Sequence, residues 1–278
     1  MTIQAPAKVN LVLRILGKRP DGFHEIETLM VPVSLADTLD VTVEVGEGIV
    51  ISCNDPAVPS DATNLAHRAV VAFSTHTGKK FHTHIDLKKS IPWGAGLGGG
   101  SSDAAAVLIA LNRLLSAGLT ESEMTNIAAS IGSDIPFFLR GHPAWCRGRG
   151  ELIESAGSIP AANLLLIKPP FPVSTAWAYQ AWAAAGKPAQ EFSQHLGELQ
   201  LTNDLEAPVF SKYLLLPALK SWLLRQPDVA AAMMSGSGST VFAVLDGDAA
   251  GLDKRVRDEF GSEMWTCFCR TGGSGSLI

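Results

Sequence analysis

Residues 91–106 read Ile-Pro-Trp-Gly-Ala-Gly-Leu-Gly-Gly-Gly-Ser-Ser-Asp-Ala-Ala-Ala. Five of the seven residues from Gly94 to Gly100 are glycine, and Ser101 and Ser102 follow directly, before an apolar helical pattern begins. Because glycine has no Cβ, such a backbone can fold around a ligand and point its N–H groups inward. A helix that starts behind the loop adds unpaired N–H groups and the positive end of its dipole. The stretch therefore predicts a phosphate-binding loop rather than a purely structural turn.

The composition is that of a globular protein with one large or two medium domains, since 46% of the 278 residues are apolar and 18% are charged. The formal net charge is −5 and no run of Lys or Arg stands out, so no nucleic-acid partner is expected. The four cysteines lack the spacing of a zinc site, which predicts free thiols in a reducing, cytoplasmic protein. A signal-peptide run and a stretch of about 18 apolar residues are both missing from the sequence, so no membrane partner is expected either.

The first strand is predicted over residues 5–16, where four alternate apolar side chains share one face. Lys8 and Asn10 share the opposite face. They form either a polar pair aimed into a cleft or part of a solvated strand face, and the strand pattern alone favours the solvated face. His24 follows a turn at residues 17–22, a position where histidine is usually solvated or hydrogen-bonded.

Turn and periodicity signals divide the remainder of the chain. Before residue 158 they predict a strand over 26–33, a hairpin over 39–53, a helix over 65–73 capped by Asp61 or Thr63, a strand over 82–87, a helix from Ser102 to Gly118, a helix opened by the capping box Thr120–Glu123, and a strand over 144–153.

A composition break over 155–162 then predicts a domain boundary, with domains 1–158 and 159–271 and a flexible tail over 272–278. The second domain reads strand 164–168, helix 175–185, a mostly helical stretch 201–225, strands 230–234 and 240–245, helix 249–260 and strand 264–269, which is the split βαβ order.

Asp134 stands immediately before the apolar run Ile135–Leu139. An acid in such surroundings is costly to bury unless it is paired. It can be the N-cap of a short helix, since Pro136 suits the first turn, or it can be a general base. The spacing leaves both roles open.

Residues 94–99 also match the G-x-G-x-x-G pattern of dinucleotide-binding proteins. The loop lies after several strands, its glycines run into Ser-Ser, and the flanking elements do not alternate between strand and helix, so this reading is not favoured. No P-loop lysine follows the glycines, so a cation must come from elsewhere, and Lys8 is available. A second glycine cluster over 234–240 joins two apolar strands as a hairpin turn or as a ligand-contacting loop.

Three separated stretches resemble the GHMP kinase superfamily: Ala5-Pro-Ala-Lys-Val-Asn-Leu, residues 91–105, and Met234-Ser-Gly-Ser-Gly-Ser-Thr-Val-Phe. Arg19-Pro-Asp-Gly-Phe-His24 and Gly132-Ser-Asp-Ile-Pro-Phe-Phe-Leu are most similar to the branch that phosphorylates 4-diphosphocytidyl-2-C-methyl-D-erythritol in the non-mevalonate route to isoprenoids. The resemblance implies an α+β, two-lobed fold. Its N-terminal lobe would be ribosomal-protein-like with a left-handed βαβ crossover, its C-terminal lobe ferredoxin-like with the split βαβ order, and the active site would lie in the cleft between them.

The resemblance also implies roles for individual residues. Asp134 would take the proton from the substrate hydroxyl, and Lys8 would hold that aspartate as an anion. The ATP site would comprise Pro92, Gly94, Gly96, Leu97, Gly98, Gly99, Gly100, Ser101 and Ser102, with Asn64 and Lys89 towards the adenine. Mg²⁺ would arrive with ATP, with Ser101 or Ser102 as its only candidate protein ligands, because no acidic cluster offers a dedicated metal site.

The substrate, a cytidyl diphosphate alcohol, would contact Asn10, Phe23, His24 and Tyr179. His24 would bond the cytosine, and Phe23 replaces the tyrosine of the family pattern, which keeps the stacking face and loses the hydroxyl. Tyr179 is the expected second stacking partner, with Phe171 and Trp177 as alternatives. A kinase of another small alcohol, of the mevalonate or homoserine type, is the alternative function, and a nonenzymatic nucleotide-binding relative is a further one. The expected assembly is a monomer or a weak homodimer.

Overall fold

The fold is organised around the long N-terminal strand β1, which is buried along most of its length in the computed structural model. The structure describes residues 1–185, 194–247 and 249–272. The helices and strands of these residues, in chain order, are β1 (Thr2–Lys18), β2 (His24–Glu44), β3 (Gly48–Cys53), α1 (Leu65–Thr77), β4 (His82–Lys88), α2 (Gly99–Leu114), α3 (Glu121–Ile131), α4 (Ile135–Arg140), β5 (Ala144–Gly148), β6 (Leu152–Ser155), β7 (Asn163–Lys168), α5 (Thr175–Ala185), β8 (Gln194–Leu196), β9 (Leu199–Asn203), α6 (Glu206–Lys212), α7 (Leu215–Leu223), β10 (Val229–Met234), β11 (Val241–Leu245), α8 (Leu252–Phe260) and β12 (Trp265–Arg270).

The first sheet has the order β3-β4-β2-β1-β9-β8, and β5 pairs with both β2 and β6. The hairpin predicted over 39–53 is wrong, because β2 runs unbroken to Glu44 and β3 pairs in parallel with β4. Strand β3, helix α1 and strand β4 form a crossover, which lets α1 cover the sheet. Helices α1 to α4 pack on one face of this sheet and bury the largest apolar cluster of the described chain.

Of the helix caps predicted from the sequence, one is confirmed and one is wrong. The capping box between Thr120 and Glu123 is confirmed. Helix α1, however, is capped by Asn64, whose side-chain oxygen accepts a hydrogen bond from the N–H of Ala66 at 2.8 Å. The single strand predicted over 144–153 is a pair of strands, β5 and β6, which pair antiparallel across a turn at Gly148 and Gly150.

The second sheet has the order β10-β11-β7-β12 with every neighbouring pair antiparallel, which confirms the split βαβ arrangement. Strands β7, β10 and β11 are buried on both faces, whereas the edge strand β12 is partly exposed. Leu164 and Leu166 pack towards the first sheet, whereas Leu165 and Ile167 pack towards helices α5 to α8. The two sheets therefore lie face to face, with a shared apolar layer between them.

The predicted boundary after residue 158 falls in the irregular segment between β6 and β7. The chain returns to the first sheet afterwards, because β9 pairs in parallel with β1 and the Asp204 carboxylate accepts a hydrogen bond from the N–H of Ile15 at 2.8 Å. The predicted helical stretch 201–225 thus begins as a strand. All four cysteines are free thiols. Residues 273–278 of the predicted tail lie outside the described residues, and within the described ranges no helix is both long enough and apolar enough to cross a bilayer.

Candidate active site

A cleft of about 760 Å³ lies beside β1 and brings together the separated motifs. Its lining residues come from β1, the start of β2, the glycine loop, the segment before α4, the β5–β6 turn, α5 and the loop at Gly236 and Ser237. The predicted site residues that line it are Lys8, Asn10, Phe23, His24, Asn64, Lys89, Pro92, Gly94, Gly96, Leu97, Gly98, Gly99, Gly100, Ser101, Asp134 and Tyr179. Ser102 is the exception, because its side chain is fully buried away from the cleft.

The glycine loop uses alternate left-handed backbone positions, with φ values of 64°, 75° and 73° at Gly94, Gly96 and Gly98. A Cβ at Gly96 would lie 2.4 Å from the carbonyl oxygen of Ser235, and one at Gly98 would lie 2.7 Å from Cζ of Phe138. Glycine is therefore required at both positions for conformation and for space. Gly98 also occupies the N-cap position of α2 with no side chain capping the first turn, which leaves the helix start suited to an anion.

Lys8 and Asn10 are both buried, so the solvated-face interpretation is wrong. The Nζ of Lys8 donates to Oδ1 of Asn10 at 2.6 Å and to the carbonyl oxygen of Gly96 at 2.9 Å. Asn10 is oriented in turn by Thr28, whose Oγ1 accepts from Nδ2 of Asn10 at 2.8 Å. Burial lowers the pKa of the Lys8 ammonium, and the nearby Asp134 carboxylate raises it.

Asp134 holds the N-cap position of α4, but its side chain caps none of the helix N–H groups. The predicted N-cap position at the start of a short helix with Pro136 in its first turn is confirmed, but the carboxylate is not used to cap that helix. The carboxylate lines the cleft and acts electrostatically on Lys8 and Tyr179. Gly150 of the β5–β6 turn lies close to it, since a Cβ there would be 3.7 Å from Oδ1 of Asp134. A carboxylate that caps no helix N–H group and lies near a buried lysine is available as a general base.

Aromatic side chains gather at the other end of the cleft. The rings of His24 and Tyr179 are stacked with centroids 5.2 Å apart and an interplanar angle of 27°. The Nε2 atom of His24 is buried with no hydrogen-bond partner among the described residues, and burial lowers the pKa of this imidazole. Phe23 is half exposed beside it.

The alternatives to Tyr179 as the stacking residue lie elsewhere in the structure. Phe171 stacks on Tyr213 with ring centroids 5.3 Å apart, and Trp177 meets Tyr213 edge-on. Neither Phe171 nor Trp177 lines the cleft, whereas Tyr179 does. The structure therefore favours Tyr179.

Two residues predicted on the adenine side already have intramolecular partners. Asn64 caps α1, and its Nδ2 donates to the carbonyl oxygen of Pro59 at 2.6 Å. Lys89 is buried and forms ion pairs with Asp37 and Asp103. Both residues line the cleft, and their contacts with ATP stay predictions.

Several lining residues escaped the sequence reasoning. Arg149 extends its guanidinium over the ring of Phe23, with Cζ 4.9 Å from the ring centroid. Thr175 and Ser237 share a hydrogen bond of 2.8 Å between their hydroxyls. Gly236, beside Ser237, is held from outside the lining by Asn203, which donates to its carbonyl oxygen at 2.8 Å. A cation between two glycines, Gly-Arg-Gly over 148–150, was the one signal in the sequence that pointed to such a residue.

Comparison with known proteins adds independent findings. The family model described as GHMP kinases N terminal domain matches residues 64–142, and the model described as GHMP kinases C terminal matches residues 180–262. A 4-diphosphocytidyl-2-C-methyl-D-erythritol kinase from Methylacidiphilum infernorum is 48% identical over 250 residues, which cover 87% of this chain and 85% of that protein. The protein of the same description from Geobacter sulfurreducens is 38% identical over 271 residues, covering 95% of this chain and 96% of that protein.

Solved structures agree with these sequence matches. A 4-(cytidine 5'-diphospho)-2C-methyl-D-erythritol kinase matches with a TM-score of 0.80 and 35% identity, covering 98% of this chain and all of that one. A homoserine kinase from Cytophaga hutchinsonii matches with a TM-score of 0.67 and 18% identity, covering 97% of this chain and 94% of that one. The second likeness concerns the fold alone.

Proposed function

The chain belongs to the GHMP kinases and, within them, to the 4-diphosphocytidyl-2-C-methyl-D-erythritol kinases, and we propose that it transfers a phosphoryl group from ATP to the 2-hydroxyl of that alcohol in the non-mevalonate isoprenoid pathway. The observation that carries the proposal is one cleft that combines the glycine loop, Lys8 with the nearby Asp134, and the stacked rings of His24 and Tyr179.

In this mechanism Asp134 accepts the proton of the substrate hydroxyl as that oxygen attacks the terminal phosphorus. Lys8, whose charge interacts with that of Asp134, stabilises charge that develops on the reacting oxygens. The N–H groups of the glycine loop and of the first turn of α2 hold the phosphates of ATP. Phosphoryl transfer needs little covalent chemistry from the protein, so positioning and charge stabilisation supply most of the rate.

The residues present fit a Mg²⁺ ion that arrives with ATP. Within the described ranges no group of three or more His, Cys, Asp or Glu side chains could hold a metal, whereas Ser101 lies in the first turn of α2 at the cleft. Its hydroxyl would be the protein group that contacts the ion. When bound, Mg²⁺ would neutralise part of the phosphate charge.

The aromatic end of the cleft supports a cytidyl substrate over mevalonate or homoserine. Stacking between Phe23 and Tyr179 needs a planar base, and neither of those smaller alcohols has one. The unpartnered Nε2 of His24 supplies a polar atom for the edge of such a base. Asp134 lies near Lys8 and its side chain caps no N–H group of α4, so it is available for catalysis. This favours an active kinase over a nonenzymatic relative. A cytoplasmic monomer or weak homodimer remains our prediction for its state in the cell.

The test measures ADP release with ATP and Mg²⁺ on three acceptors: 4-diphosphocytidyl-2-C-methyl-D-erythritol, mevalonate and homoserine. We expect turnover with the cytidyl alcohol alone. Asp134→Asn should abolish it while ATP still binds in a direct titration, and Asp258→Asn on the exposed side of α8 is the matched control. Preference for mevalonate or homoserine would overturn the substrate, and near wild-type turnover by Asp134→Asn would overturn the assigned base.

A further inference from the structure

Strand β1 departs from regular pairing with β2 on either side of the segment that carries Lys8 and Asn10. The register shifts between Pro6 and Lys8. It shifts again between Asn10 and Val12. Shifts of this kind bend a strand and re-aim its side chains, and they are common beside active sites. The directions of the two polar side chains therefore depend on how the backbone is held at these shifts.

The hydroxyl of Thr28, on β2, connects the second shift to Asn10, and the Thr28 side chain is fully buried. Its Oγ1 donates to the carbonyl oxygen of Val12 at 2.6 Å and accepts from Nδ2 of Asn10 at 2.8 Å. A hydroxyl has one hydrogen to donate, and Thr28 uses that hydrogen at Val12, so the Asn10 amide turns its NH₂ group towards Thr28. The amide oxygen then faces the ammonium of Lys8, which can only donate.

We propose that Thr28 is a positioning residue for phosphoryl transfer, which acts through Asn10 on the ammonium of Lys8; the inference rests on the proposed function. An ammonium has three N–H groups. One of them donates to Asn10 at 2.6 Å and another to the carbonyl oxygen of Gly96 at 2.9 Å. Because the nitrogen is tetrahedral, these two bonds fix the direction of the third N–H, which is the one left for the reacting groups. Loss of the Thr28 hydroxyl frees the Asn10 amide and with it the direction of that N–H.

Thr28 also lines the cleft, so two other roles have to be separated from positioning. If the hydroxyl contacts the substrate, its loss should raise the KM of the cytidyl alcohol and leave kcat unchanged. If it serves only the packing of β1 on β2, its loss should lower the melting temperature and leave both kinetic constants of the folded enzyme unchanged. A positioning role acts on the chemical step, so its loss lowers kcat while the KM of both substrates stays near wild type.

The experiment compares wild type, Thr28→Val, Thr28→Ser and, as control, Thr83→Val, with kcat expressed per folded molecule. Valine keeps the shape of threonine without its hydroxyl, whereas serine keeps the hydroxyl. Thr83 is a fully buried threonine on β4 that does not line the cleft, and its hydroxyl has no hydrogen-bond partner among the described residues. For Thr28→Val we expect kcat to fall about 10-fold, the effect of one buried hydrogen bond. Thr28→Ser should restore most of kcat, and Thr83→Val should match wild type.

A double-substitution cycle tests whether Thr28 acts through Lys8. The ammonium is absent in the Lys8→Met background, so Thr28→Val should lower kcat no further there. An equal loss of kcat in both backgrounds would place the effect of Thr28 elsewhere and overturn the inference.

The inference is also rejected by an unchanged kcat in Thr28→Val, by a rise in KM alone, or by a loss of kcat that Thr28→Ser does not restore. A failure of the proposed substrate is visible separately, because the wild type would then turn over another acceptor, and the same comparison is made with that acceptor. Absence of turnover by the wild type on every acceptor would reject the kinase and the role of Thr28 together. Turnover by the wild type with an unaffected Thr28→Val would reject the role of Thr28 alone.

Discussion

Asp103→Asn should change how the stability of the protein depends on pH. Asp103 lies on α2 directly behind the glycine loop and belongs to a buried group of two carboxylates and one ammonium, Asp37, Lys89 and Asp103, which we call the carboxylate–lysine cluster. Lys89 donates to Asp103 at 2.8 Å, while the second oxygen of Asp103 is buried with no partner among the described residues. The cluster therefore carries an excess negative charge in an apolar setting.

Burial raises the pKa of the Asp103 carboxyl from its ordinary 3.8 to about 7, and the charge of Asp37 adds to the rise while Lys89 opposes it. Because the folded pKa is the higher one, the folded protein binds more protons than the unfolded chain between these two pH values. The contribution of Asp103 to the free energy of unfolding should therefore fall as pH rises from about 4 to about 7. A pKa difference of about 3 corresponds to about 4 kcal/mol, at about 1.4 kcal/mol for each tenfold change in proton affinity.

Asparagine keeps the size of Asp103 and an oxygen that can accept from Lys89, but it does not titrate in this range. The stability of Asp103→Asn relative to wild type should thus increase by about 3 kcal/mol between pH 4.5 and pH 8, because part of the total change already lies below pH 4.5. Urea unfolding followed by fluorescence at several pH values measures this difference, and Asp258→Asn, an exposed carboxylate on α8, is the control. Curves for wild type and Asp103→Asn that stay parallel over this range would refute the reasoning.

Three further substitutions test the construction of the site. Gly96→Ala should destabilise the protein by at least about 1 to 2 kcal/mol through backbone strain, and the clash of its Cβ with the Ser235 carbonyl should add to this loss. The same substitution should raise the KM of ATP. Gly17→Ala, whose Cβ would meet nothing within 4 Å, is the matched control in thermal melts. Phe138→Ala should cost about 3–5 kcal/mol in urea unfolding, because the ring is fully buried under the loop, and a loss below about 1 kcal/mol would contradict that packing. Lys8→Met should lower kcat about 100-fold or more with ATP binding retained in a titration, and an unchanged kcat would exclude its part in charge stabilisation.

The second sheet could be predicted from sequence because its signals are local. The strands β7, β10, β11 and β12 are short apolar runs bounded by turn residues, and their order with the intervening helices specifies the split βαβ arrangement. The first sheet was harder to predict. Alternating apolar residues in β2 and β3 report which face is buried, but they do not report which strand lies alongside, so a crossover was mistaken for a hairpin. The strands β8 and β9 are three and five residues long, too short for a reliable period.

The residues of the site could be predicted by type and motif, whereas their environments could not. Lys8 and Asn10 appeared solvated because their burial is supplied by distant segments. The carbonyl of Gly96, which accepts a hydrogen bond from Lys8, lies 88 residues further along the chain than Lys8. The loop at Gly236 packs against the side chains of both Lys8 and Asn10. No local pattern contains that information. Arg149 is a second example, since its place in the cleft depends on the direction of the β5–β6 turn, which follows from the pairing of β5 with β2.

The glycine loop is held from several sides, and this explains why so many of its positions are glycine. The backbone at Ser235 closes against Gly96, and the ring of Phe138 closes against Gly98, so neither position has room for a side chain. Asp37 accepts hydrogen bonds from the N–H groups of Ser90 and Ile91 at the entrance to the loop, while the carboxylate–lysine cluster ties that entrance to α2 at its exit. A loop fixed at both ends and in the middle can present its N–H groups without reorganising when phosphate binds. Pre-organised donors stabilise developing charge more effectively than mobile ones, so we expect the fixed shape of this loop to favour catalysis even where the buried charge around it lowers stability.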